Sequence, residues 1–119
     1  MKYFKKSEFT CGCGCGLAFD SMDKSFIKKL IIARDIAKTS FNITSSIRCE
    51  AHNKKVGGSQ TSSHLIGKAV DIFCKNSTIR YRILSGLIVA GFCRIGVGSN
   101  FIHVDADEVK RQSVIWLYS

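Results

Sequence analysis

The chain holds three histidines, His52, His64 and His103, and two of them stand near aspartates. His64 lies in the run SSHLIGKAVD, seven positions before Asp71, and His103 sits two positions before Asp105 in FIHVD. On a straight strand, seven residues would separate His64 from Asp71 by about 23 Å, and on one helix by about 10 Å. Either is too far for donor atoms that must each sit about 2 Å from the same ion. The two side chains meet only if the chain turns between them, and Gly67 is the residue that permits a sharp turn. In 101–105 alternate residues share a strand face, so His103 and Asp105 stand side by side. Two histidines and a carboxylate are a donor set for zinc that leaves a position for water, with a neighbouring acid to take its proton. The rival reading is a loop histidine followed by an unrelated strand acid. An aspartate flanked by apolar neighbours is costly to bury unless something positive meets it.

The elements that must position these residues follow from periodicity. Residues 1–20 read as a glycine-rich loop. Asp23 or Ser21 can cap a helix in KSFIKKLIIARDIAKTS, whose apolar residues recur at helical spacing. FNITSSI (41–47) is β-branched and alternates, so it reads as a strand. Residues 48–66 are polar, carry Gly57-Gly58, and read as a long loop of the kind that serves a site. GKAVDIFC (67–74) reads as a strand, and Asn76 or Ser77 can cap a helix over 78–91 that Gly91 ends. Strands at 93–98, 101–106 and 113–118 complete the chain. The order predicts an α+β fold, an antiparallel sheet of four to five strands flanked by two helices. No proline, linker or repeat divides residues 1–119, so they read as a single domain.

Composition narrows the partners. A hydrophobic fraction of 45% excludes a disordered chain, and no run approaches the length that spans a membrane. Eighteen Lys+Arg against nine Asp+Glu give a net charge of +9, which favours polyanions: nucleic acid, anionic lipid or an anionic cell wall. The N-terminus carries charge but no apolar run, so no secretory signal is expected and the chain is expected to be made as a soluble intracellular protein. Six cysteines in a reducing compartment should be thiols or metal ligands. The CGCGC run at 11–15 spaces its cysteines by one residue, whereas zinc ribbons and knuckles use two or more, so a second, structural metal site there is the lesser alternative. Cys74 and Cys93 lie in apolar segments and are expected to be buried small hydrophobes.

SSHLIGKAVDI resembles the S-x-H-x-x-G-x-A-x-D signature of zinc-dependent peptidoglycan peptidases of the D-Ala-D-Ala carboxypeptidase type. Their superfamily includes the hedgehog domain and phage endolysins. SEFTCGCGCG, ITSSIRCEAHNKKVGGSQ and FIHVD resemble further segments of the family in the same order, so the likeness covers roughly residues 7–106. The resemblance implies a hedgehog/D-Ala-D-Ala peptidase-like fold and one zinc ion on His64, Asp71 and His103. It implies that Arg48 holds a substrate carbonyl or carboxylate, a task suited to a guanidinium, and that Ser62 lies near metal or substrate. The implied substrates are peptidoglycan stem peptides, cut by a monomeric enzyme acting on the cell wall, possession of a phage lytic role being one form of this. Relatives carry a catalytic Glu three residues before the last ligand or a His two before it; here those positions are Asn100 and Phe101. Asp105 is therefore the candidate for activating water, or else an acid that orients His103. The family's S-G-Y-R is here Ser45-Ser46-Ile47-Arg48. A catalytically silent, zinc-stabilised wall-binding module is the second reading. A basic nucleic-acid-binding protein is the third, disfavoured because no known binding motif appears and aromatics do not alternate with basic residues.

Overall fold

The computed structural model describes residues 1–118. Helix α1 (Lys24–Ala37) starts where the Asp23 carboxylate accepts the Phe26 N–H at 2.8 Å, and it buries Phe26, Ile27, Leu30, Ala33 and Ala37. Helix α3 (Ser77–Val89) is capped in the same way by Asn76, whose side-chain oxygen accepts the Ile79 N–H at 2.9 Å. The two helices pack on each other, and a five-stranded sheet completes the fold in the order β1-β2-β4-β3-β5. Its strands are β1 (Ile43–Ser45), β2 (Ala69–Phe73), β3 (Arg94–Val97), β4 (Phe101–Asp105) and β5 (Val114–Leu117).

Alternation along the strands divides the sheet into two chemically different faces. Val70, Ile72, Ile95, Ile102 and Val104 join the helix residues in one apolar core. The residues between them point the other way. Register aligns Ser45, Asp71, His103, Gly96 and Trp116 as a row across all five strands, with Asp105, Arg94 and Val114 in the next row. Two candidate ligands thus come from neighbouring central strands, where the backbone is held on both sides.

The fold is α+β as the sequence predicts, with three differences. First, β5 pairs parallel to β3, so the sheet is mixed. A hairpin would have set β5 beside β4, but β2 and β3 already occupy both edges of β4. The chain therefore joins the open edge of β3, and because β4 has reversed direction, β5 runs parallel to β3. Second, the polar stretch 48–66 is not all loop: it holds a short helix α2 (Glu50–Lys55) and a turn of 3₁₀ helix (Ser63–Ile66). EAHNKK has no apolar stripe for periodicity to detect. Third, Cys74 is buried as expected but Cys93 is exposed, just after the turn that ends α3.

Candidate metal centre

The chain turns between His64 and Asp71 as their spacing requires. Ser62 Oγ accepts the His64 N–H at 3.3 Å and caps the 3₁₀ turn. Gly67 closes it at φ +69°, where an added Cβ would stand 2.2 Å from the Ser21 carbonyl oxygen. Glycine is required there by both conformation and space. Lys68 then leads straight into β2.

Buried His64 donates from Nδ1 to the Ser46 carbonyl at 2.7 Å, which fixes its tautomer and leaves the Nε2 lone pair free. That Nε2 lies 3.3 Å from Asp71 Oδ1, and His103 Nδ1 lies 3.0 Å from the same oxygen. One donor atom from each of the three residues falls within 4.8 Å of the others. The set suits a borderline cation such as zinc: two imidazole nitrogens and one carboxylate, with room left for water. The three residues come from a turn, β2 and β4, so the cleft is built by tertiary structure.

Asp105 lines the same cleft, but its oxygens are already engaged. It is 1% exposed, and its carboxylate meets His103 Nε2 at 2.8 Å, the Arg94 Nε–H at 2.7 Å and the Asp107 N–H at 3.1 Å. Burial would raise its pKa, but the hydrogen bonds from His103 and Arg94 outweigh this and hold it below the ordinary carboxylate range. Burial works the same way at Asp71, where the two imidazoles that face it prevail and hold it well below the ordinary carboxylate range. For His103 burial would lower the pKa, yet hydrogen bonds to Asp105 and Asp71 raise it.

Arg48 is brought to the same cleft, with its guanidinium braced on several sides. Nε donates to Ser45 Oγ at 3.1 Å, one terminal nitrogen donates to Asn53 Oδ1 at 3.2 Å, and the other lies 3.5 Å from Asp71 Oδ2. Ser62 also lines the cleft, with its hydroxyl engaged in the cap. His52 lies outside it, on α2.

Four contributors escape a reading of spacing alone. Asn53 is buried on α2 and steadies Arg48. Arg94 fixes Asp105, and only the β3–β4 register brings the two together. Trp116 and Tyr118 form an aromatic wall of the cleft, the Trp116 ring centroid lying 5.6 Å from that of His103. Gly96 makes this possible: a Cβ there would stand 2.6 Å from the Tyr118 ring and 2.7 Å from that of Trp116. The one available signal was that the only tryptophan sits on a predicted strand. The cleft these residues enclose has a volume of about 370 Å³.

The family model described as Peptidase M15 matches residues 2–105. No curated protein matches the chain significantly.

Proposed function

Since the chain belongs to the Peptidase M15 family, whose members are zinc peptidases, we propose that it hydrolyses peptide bonds in the stems or cross-links of bacterial peptidoglycan. The observation that carries this reading is the convergence of His64 Nε2, Asp71 and His103 Nδ1 at one side of a cleft large enough for a peptide segment. These three residues would hold the zinc. When bound, the ion would supply Lewis-acid polarisation of a carbonyl and a water acidic enough to ionise near neutral pH.

The chain's own residues divide the remaining tasks. Arg48, braced by Ser45 and Asn53, offers its terminal N–H groups to a substrate carboxylate or carbonyl. Trp116 and Tyr118 give the stem an apolar wall. Asp105 acts through His103: it accepts the Nε2 proton, which turns the Nδ1 lone pair toward the ligand position. It is a positioning residue in this reading, since its oxygens are already met by Arg94 and the Asp107 N–H. The net charge of +9 suits an anionic wall and makes association sensitive to salt. A lytic role in phage release would place such an enzyme at the wall.

One observation favours the second reading, a zinc-stabilised wall-binding module. The two carboxylates of the cleft, Asp71 and Asp105, are both engaged, while Asn100 and Phe101 stand where relatives carry a base. Zinc content and cleavage of defined stem peptides, measured on wild type and on His64→Ala, Asp71→Ala and His103→Ala, separate the readings. Amine release lost in each variant, together with one equivalent of bound zinc, supports the peptidase. Zinc and wall binding without amine release support the module, and a folded wild type whose zinc content none of the three variants lowers overturns both.

A further inference from the structure

A second cluster lies at the N-terminal loop, where Cys11, Cys13 and Cys15 meet Cys49, the residue that caps α2. We propose that these four thiolates bind a second, structural zinc ion, independent of the His64–Asp71–His103 centre.

The geometry is that of a tetrahedral tetrathiolate. With zinc–sulfur bonds of about 2.3 Å, the edges of a sulfur tetrahedron are about 3.8 Å long. The Sγ atoms of Cys11 and Cys13 are 3.5 Å apart, those of Cys13 and Cys49 are 3.6 Å apart, and those of Cys11 and Cys49 are 3.8 Å apart. Cys15 joins them, all four sulfurs falling within 4.8 Å of one another. Thiols are weak donors and weak acceptors, so four of them gain little by meeting. Two of the four are exposed and would be better solvated apart. A shared divalent cation accounts for the convergence.

The backbone is arranged to match. A spacing of one residue would send the side chains of an extended segment nearly 7 Å apart along one face. Here Gly14 adopts φ +77°, its N–H meets the Cys11 carbonyl at 3.2 Å, and the Cys11 N–H meets the Leu17 carbonyl at 2.8 Å. The loop curls and turns its cysteines to one point. Backbone N–H groups also face the sulfurs: that of Cys49 lies 3.5 Å from Cys11 Sγ, and that of His52 lies 3.3 Å from Cys49 Sγ. Such donors stabilise the negative charge that remains on a thiolate after its proton has left for solvent.

The consequence is a clasp. The N-terminal loop is fastened to the start of α2, directly beside Arg48, and the same helix carries Asn53. The fourth cysteine lies far along the sequence from the CGCGC run, whose one-residue spacing by itself disfavours a metal site.

The test uses the full chain, purified under reducing conditions. Zinc analysis of wild type should give two equivalents per chain, and both His64→Ala and the double variant Cys13→Ser/Cys15→Ser should retain one. Cobalt added to wild type and to His64→Ala should produce intense thiolate-to-metal charge-transfer absorption, absent from the cysteine variant. With zinc bound, Cys93 alone should react rapidly with a thiol reagent, and a strong chelator should expose the loop cysteines. No zinc retained by His64→Ala, or no charge-transfer absorption in its cobalt form, overturns the proposal even if the cysteine variant does not fold. Disulfides among the four in freshly reduced, zinc-supplied protein would overturn it too. Loss of zinc from the histidine site alone bears on the peptidase reading and leaves this one standing.

Discussion

At the scale of single residues, the site is defined by which atoms are already spoken for. His64 has one nitrogen fixed on the Ser46 carbonyl and one free, while His103 has Nε2 on Asp105 and Nδ1 toward Asp71. Asp105→Asn separates the two roles open to this acid. Losing a carboxylate that orients a ligand costs about 10–100-fold in metal affinity, with turnover per zinc-loaded molecule little changed. A competition titration with a chromophoric chelator, run beside steady-state kinetics, reads both quantities. Turnover lost at unchanged affinity would mean that Asp105 acts on the proton itself. The convergence of His64, Asp71 and His103 was legible because H-x-x-G-x-x-x-D and H-x-D place chemistry-bearing types at spacings that only a turn and a strand can reconcile. Arg94 was not legible, because an arginine on a strand announces nothing until the partner strand's register is known.

At the scale of elements, the cleft depends on a turn and a sheet face. Gly67→Ala would force a side chain into a left-handed conformation and against the Ser21 carbonyl. The expected cost is about 1–3 kcal/mol, read as a lower urea midpoint of the chelated protein, with weaker zinc binding because His64 loses its placement. Unchanged stability would show that the turn has slack. Helices α1 and α3 were readable from their capping residues Asp23 and Asn76, and strands β1 to β4 from short runs of β-branched and alternating apolar residues. Helix α2 is too short and polar to carry a period, and the parallel placement of β5 depends on which sheet edge is free. Neither property is local in sequence.

At the scale of the whole molecule, the buried His103 couples folding to protons. In the chelated protein its raised pKa means that its pairing with Asp71 and Asp105 stabilises the fold fully below the ordinary value of 6.5 and is lost as pH rises through the raised one. The two aspartates work in the other direction. Their contribution is present above the ordinary value of 3.8 and is lost as pH falls through their depressed values. Stability of the chelated chain should therefore be greatest in the mildly acidic window between these limits. Zinc should shift the optimum toward higher pH, because His103 must give up a proton to bind it. Urea midpoints measured across pH with and without zinc check both statements, and an optimum that zinc leaves unmoved would contradict them. The position of Trp116 adds one more property. The chain's single tryptophan lies on the wall of the cleft beside His103, and protonated imidazole quenches indole emission. The molecule thus carries its own fluorophore at the point where ligands arrive, and the titration of His103, the arrival of a quenching metal and the docking of a stem peptide can each be followed as light from one residue.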